Sequence, residues 1–244
     1  MEVVLPNKDE FVNSFLNPLN KISESCVLKL QPAGFTSLLA AADNTVVVYG
    51  AYTCNAPDDA DIKLNIPDLA RLIRVLQCID SNTVKLTVEG NKIKYSSNDI
   101  RFTYHLLHDG ILSLPPLSLE KIKQLQFDTT LKVPCTSINN LIKSSTFTLN
   151  INKVYFFTKD GSVYAEINDM QSQNVDSICI KLCDKYEGEG IETPLPVGFD
   201  TIRTLSSIKC HDMVIKINKK LNVMTFGINN NNVAVKYIVS GLVK

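Results

Sequence analysis

The stretch Ile66-Pro67-Asp68-Leu69-Ala70-Arg71-Leu72-Ile73-Arg74-Val75-Leu76 decides how the rest of the chain is read. Leu69, Leu72, Ile73 and Leu76 recur at i, i+3, i+4 and i+7, the spacing that gathers apolar side chains on one face of a helix. Pro67 is tolerated at its start, where an N–H has no helical partner to lose. Three alternating strands follow at 83–88, 92–95 and 100–106, the first two joined by the glycine turn Glu89-Gly90-Asn91. The same order returns about 130 residues later. A short amphipathic helix over 199–207, with Phe199, Ile202 and Leu205 apolar, precedes strands at 213–217, 221–226 and 233–239.

The segments in between also pair. A helix over 11–16 precedes strands at 26–30, 35–41 and 45–52, and a helix over 137–143 precedes strands at 153–158, 162–167 and 177–182. Lys159-Asp160-Gly161 is a strong hairpin turn. The pattern predicts an α+β protein of two duplicated domains, 1–108 and 127–244. They are joined by a connector, 109–126, in which Leu114-Pro115-Pro116-Leu117 can continue neither helix nor strand. Antiparallel sheets with few short helices call for helices laid on one face of each sheet. Such sheets end in edge strands that must be paired, covered or closed. Identical copies joined head to tail remove those edges, and form a ring if the rotation closes.

Composition sets outer limits. Hydrophobic residues make up 45% of the 244, enough for real cores, and no apolar run approaches the roughly 20 residues of a membrane helix. The N-terminus has no basic start followed by an apolar stretch, so no secretory signal is visible. Seven scattered cysteines argue against a disulfide framework and for a reducing, cytoplasmic setting. Lys+Arg and Asp+Glu are both 25. A formally neutral protein is a poor phosphate-gripping surface, so any nucleic-acid contact depends on where the charges sit.

The helix faces supply that placement. Arg71 and Arg74 lie opposite the apolar face of the helix that opens this reading; Asn13, Asn17, Asn20 and Lys21 lie opposite Phe11, Phe15 and Leu19. Asn139, Asn140 and Lys143 oppose Ile138, Leu141 and Ile142, and Arg203 lies away from Phe199, Ile202 and Leu205. These outward faces are mildly basic and rich in amides. Asp9, Glu10, Asp68 and Asp200 stand at helix starts, where they complement the helix dipole.

The doubled helix–hairpin–strand pattern, the Pro-rich connector and the phrase Lys63-Leu64-Asn65-Ile66-Pro67-Asp68-Leu69 resemble the DNA polymerase sliding clamp family. In size and turn pattern the resemblance is greatest to the clamps of T4-type bacteriophages, and it covers nearly the whole chain. It implies a homotrimeric six-domain ring with sheets outside and helices on the inner face. Such a ring encircles double-stranded DNA without sequence preference, is opened by a clamp loader, and tethers the replicative DNA polymerase. It implies no catalysis and no cofactor. It also implies roles for particular positions. Asn13, Asn17, Lys21, Arg71, Arg74, Asn140, Lys143 and Arg203 would face DNA. Subunits would meet through the strands carrying Ile100, Phe102 and Tyr104 and, on the other side, Ser177, Cys179 and Lys181. Leu112, Leu114 and Leu117 with Val239 and Leu242 would form the pocket for partner peptides.

Other features read as structure. Cys179 and Cys183 on one strand face and Cys210-His211 near a turn lack the close-spaced pairs of a structural zinc site, and read as small buried cysteines. His105, His108 and His211 show no nucleophile partner, Asp58-Asp59-Ala60-Asp61 lacks regular calcium spacing, and Gly188-Glu189-Gly190 lacks the strand-to-helix context of a phosphate loop. Two other functions stay open from residues alone: a monomeric DNA-binding processivity or scaffold protein, and a β-rich virion structural protein.

Overall fold

The computed structural model describes residues 1–112, 114–115, 119–148, 151–169, 175–205 and 210–242. Met1–Ser118 with Asn229–Val235 make one compact unit, and Leu119–Ile228 with Lys236–Lys244 a second. In the first, β1 (Glu2–Leu5), β6 (Val84–Val88), β7 (Lys92–Ser96) and β8 (Arg101–His105) lie side by side in that order. The strands β4 (Val46–Thr53), β3 (Gly34–Ala40), β2 (Cys26–Gln31) and β5 (Ile62–Ile66) run in that order in another sheet. β9 (Thr129–Pro134), β15 (Asp212–Asn218), β16 (Val223–Asn229) and β17 (Val233–Ser240), which apart from Asn229 and Val233–Val235 belong to the second unit, repeat the first order, with the two-residue β13 (Glu187–Gly188) beside β9. β12 (Ile178–Cys183), β11 (Ser162–Ile167), β10 (Lys153–Lys159) and β14 (Leu195–Gly198) repeat the second. Strand for strand the orders coincide, so the duplication seen in the sequence is a duplication of topology.

The helices follow from their apolar stripes. α3 (Leu69–Gln77) buries Leu69, Leu72, Ile73 and Leu76, as its spacing predicts. Full burial of such side chains is worth roughly 1.5–3 kcal/mol each, far more than the propensity of so short a helix. α5 (Cys135–Ser144) buries Ile138 and Leu141, leaving Ile142 half-buried, and α6 (Phe199–Thr204) buries Phe199 and Ile202. The predicted helix at 199–207 is described only as far as Leu205. α4 (Leu119–Lys123) is a short helix inside the expected connector, which the prolines around it hid from sequence reading.

The first helix is longer than 11–16. It runs without a break through α1 (Lys8–Glu10), a π-helical turn (Phe11–Leu16) and α2 (Asn17–Asn20). The wider winding ends beside Pro18, which has no N–H to donate to a regular helical ladder. Phe11, Val12, Phe15, Leu16 and Leu19 are all buried, so this segment is enclosed on more than one side. Phe11 packs 4.8 Å from the Tyr52 ring and 5.3 Å from Phe35, between centroids. Gly50 of β4 makes room for this cluster: a Cβ there would stand 3.0 Å from the Phe15 ring.

The second unit corrects one expectation. Cys135 and Cys210 form a disulfide, with Cα atoms 6.0 Å apart across a separation of 75 residues. The pairing of β9 with β15 brings them together: Asp212 pairs with Pro134, and the Cys135 N–H donates to His211 O at 3.0 Å. No spacing rule could reveal that register. The small-buried-cysteine reading also fails for Cys179, which is exposed, and Cys183, which is half-buried, whereas Cys26 and Cys54 are buried. In non-reducing buffer, thiol titration of the denatured protein is expected to count five free thiols, rising to seven after reduction. The Cys210→Ser chain is expected to lose about 2–4 kcal/mol of stability in denaturant melts under the same conditions.

Candidate functional site

Three surfaces carry the residues singled out in the sequence: the solvent sides of the helices, two sheet edges, and a hollow beside the connector. Each helix start is fixed by a distinct device. Asn7 caps α1, its Oδ1 accepting the Glu10 N–H at 2.9 Å, and Asp68 caps α3, its Oδ1 accepting the Arg71 N–H at 2.8 Å. A buried tyrosine then clasps the backbone of each cap. Tyr52 donates its hydroxyl to Asn7 O (2.9 Å) and accepts the Asn7 N–H (3.2 Å). Tyr104 donates to Asp68 O (2.6 Å) and accepts the Asp68 N–H (3.2 Å). Burial pushes both phenols up to about 12. In the second unit α5 begins at the disulfide, and α6 is tied by Asn152, whose Oδ1 accepts the Asp200 N–H at 3.0 Å while its Nδ2 donates to Asp200 Oδ2 at 2.8 Å.

With the helices so oriented, Lys21, Arg71, Arg74, Asn140, Lys143 and Arg203 are exposed. Asn13 and Asn17 are half-buried, and Asn17 Nδ2 donates to Asn13 Oδ1 at 3.4 Å. Partial desolvation lowers the Lys21 pKa. Arg203 is already engaged: its guanidinium pairs with Asp200 Oδ1 at 2.8 Å and lies 4.6 Å over the Phe199 ring. Among the described residues no carboxylate forms an ion pair with Arg71, Arg74 or Lys143. The helix-start acids are occupied as caps or by local bonds; Glu10, for instance, accepts from Asn232 Nδ2 at 3.0 Å.

β8 ends one sheet and β12 ends another. Ile100 and Ser177 lie one residue outside these strands. On β8, Phe102 is half-buried and stacks on Tyr95, centroids 5.8 Å apart. Tyr104 is 5% exposed and its hydroxyl is committed to Asp68, so it can offer an outside partner backbone but little side chain. On β12 the alternation puts Cys179 and Lys181 on the exposed face and Ile178 and Ile180, both half-buried, on the other. α5 packs against β12, and Phe147, three residues past that helix, is 59% exposed.

Leu112 and Leu114, with Ile111, face Val27, Leu38 and Ala40 across a hollow of about 390 Å³ within the first unit. The walls contributed by β2 and β3 carry no motif, which is why sequence reading missed them; Ile111, 59% exposed, was discoverable only as an apolar residue in a connector. Val239 is wholly buried and belongs to the core. In the second unit Leu242 lines a hollow with Leu195, Pro196 and Asn222, where its N–H donates to Pro196 O at 2.8 Å. Leu117 lies outside the described residues.

His105, His108 and His211 are all exposed, and among the described residues no group of His, Cys, Asp or Glu side chains could hold a metal ion. No described helix is long and apolar enough to cross a membrane.

No protein-family model matches the chain, and a search of curated proteins found no match. Solved structures do match, over essentially the full length. A PCNA chain of A. fulgidus, in a structure with the C-terminal region of FEN-1 bound, superposes with a TM-score of 0.81 at 13% identity, covering 100% of this chain and 98% of that one. A chain of the PCNA2–PCNA3 complex from Sulfolobus tokodaii gives 0.78 at 14% identity, with 99% of each chain covered. PCNA from Entamoeba histolytica gives 0.80 at 12% identity, covering 99% and 98%. At such identities the likeness establishes the fold: α+β, antiparallel, and that of the two-domain PCNA clamps.

Tyr104→Phe removes both bonds to the α3 cap and is expected to cost roughly 1–3 kcal/mol in denaturant melts. The wild-type contribution is fully present below about pH 10, the unfolded phenol value, and is lost as pH rises through about 12. The gap between variant and wild type is therefore expected to narrow over that window.

Proposed function

We propose that this chain is a sliding-clamp subunit and that three copies close into a ring around duplex DNA, tethering a replicative DNA polymerase. The observation that carries the reading is the full-length fold likeness of the duplicated chain to PCNA clamps. In this reading 1–108 and 127–244 are the two clamp domains and 109–126 connects them. The kinship with T4-type phage clamps rests on chain size and turn pattern.

The two sheet edges support head-to-tail assembly. Unpaired strand edges invite pairing with another chain, and each of these two carries apolar groups that water does not favour. β8 offers Phe102, stacked on Tyr95 of β7, and β12 offers Ile178 and Ile180 with Phe147 near the end of α5. A heterologous contact of this kind closes into a ring when its rotation allows. The six-domain ring would be the unit that retains DNA.

Retention would be topological, so the lining should attract phosphate without gripping it. The helix faces suit this: exposed Arg71, Arg74 and Lys143, which pair with no carboxylate among the described residues, supply mild positive charge, while Arg203 is partly neutralised by Asp200. Amide side chains at Asn13, Asn17 and Asn140 can meet phosphate through water without choosing one register. The polymerase, held by its own peptide in the Leu112–Leu114 hollow, would then re-encounter the primer end at high effective concentration. A loader would be needed to open the ring.

Loaded onto nicked circular DNA, the protein is expected to stay bound through a high-salt wash yet to leave linear DNA with free ends. Equal loss from both would point to the alternative, a monomeric DNA-binding scaffold. Light scattering is expected to give three times the 27.1 kDa chain mass. Arg71→Gln/Arg74→Gln should leave that mass unchanged and, since a ring of three copies loses six arginines, flatten the salt dependence of weak duplex binding by up to about five in log–log slope.

A further inference from the structure

The solvent face of the β4-β3-β2-β5 sheet is banded. One band carries Val27 and Leu38 and forms part of the hollow under Ile111, Leu112 and Leu114. Two residues along each strand, the next band is Lys63, Lys29, Thr36 and Ala51, side by side in register across β5, β2, β3 and β4. Residues in register point to the same side of a sheet. Lys29 is exposed between buried Leu28 and Leu30, and Lys63 is exposed too, so both lysines leave the same face of the sheet in the band next to the one that lines the hollow.

Like charges directly opposite one another destabilise a strand pair. Lys29 and Lys63 form no ion pair with any described carboxylate. Asp61, two positions before Lys63 and exposed, makes none with it. On the hollow's side Asp109 is occupied, accepting from Asn65 Nδ2 at 2.8 Å. That bond, with the Leu107 N–H to Asn65 O at 2.9 Å, stitches the start of the connector along β5 and leaves the lysine band open at its border. By contrast, Lys85 and Lys94 on the neighbouring sheet are each paired with a glutamate.

We propose that the segment seated in this hollow is an apolar peptide flanked by carboxylates, its anchor lying against Val27, Leu38 and Leu112 and its acidic side chains received by Lys29 and Lys63. The assignment rests on the partner-pocket reading above and adds the chemistry of the partner. An acidic flank would cancel the Lys29–Lys63 repulsion on binding; a basic flank would add to it.

The test uses the full chain and three labelled synthetic peptides with one Leu/Phe anchor, flanked by two Asp, two Asn or two Lys residues. Fluorescence anisotropy at low salt is expected to rank them Asp, Asn, Lys, with the Asp peptide roughly fivefold tighter than the Asn peptide, as two exposed ion pairs allow. In Lys29→Gln/Lys63→Gln the Asp advantage should vanish while the Asn peptide binds as before. That variant sheds a like-charge pair, so its melting temperature should not fall below the wild type's. Leu112→Ser should weaken all three peptides alike. Equal binding of the Asp and Asn peptides, or tightest binding of the Lys peptide, overturns the proposal and leaves the pocket reading standing. Failure of all three to bind, or indifference to Leu112→Ser, overturns the pocket reading and the proposal with it.

Discussion

One constraint organises this molecule: each short helix must bury an apolar stripe against its neighbours, and it is too short to be stable any other way. Leu69, Leu72, Ile73 and Leu76 satisfy the requirement in α3, and Ile138 with Leu141 does so in α5. Because the stripe takes one side, whatever stands opposite is delivered to solvent in a fixed direction. Arg71, Arg74, Asn140 and Lys143 owe their exposure to the leucines and isoleucines behind them. The charge on these faces is thus a by-product of packing that a function can use.

The two copies of the fold meet the same constraint by different chemistry at the helix starts. In the first unit a buried tyrosine hydroxyl grips both backbone groups of the cap, Tyr52 on Asn7 and Tyr104 on Asp68. In the second, α5 begins at the Cys135–Cys210 disulfide and α6 is held by the reciprocal bonds of Asn152 and Asp200. The topology has been kept while the fastenings have drifted. This is what duplication permits: a helix start must be satisfied, but many groups can satisfy it.

Neutral overall charge conceals an ordered distribution. Acids collect at helix starts, where Asp68 caps α3 and Asp200 bonds Asn152 and Arg203, and among the described residues no carboxylate pairs with Arg71 or Arg74. Lysines collect on outward sheet faces, some matched by glutamate and two, Lys29 and Lys63, matched by no described carboxylate. A formal sum of zero therefore says little about any one surface. Local pairing decides which charges remain available to DNA or to a peptide.

Much of the fold was legible in the residues. The 3.6-residue stripe of α3, the alternation in β6 to β8 and the Asp160-Gly161 turn are local signals, and their recurrence exposed the duplication. The short strands β1, β5, β9, β13 and β14 and helix α4 escaped notice, being too brief to show a period or hidden among prolines. The surfaces were legible only in part. Arg71 and Arg74 could be placed because a helix projects its faces by arithmetic. The hollow could not, since Val27 and Leu38 reach Leu112 through strand pairing and the path of a connector. Val239, apolar and near the C-terminus like Leu242, reads the same in sequence yet is core. The disulfide likewise depended on β9 meeting β15. Local periodicity determined the elements and their outward faces; which elements became neighbours, and so which residues share a site, was decided by long-range burial and register that no local window contains.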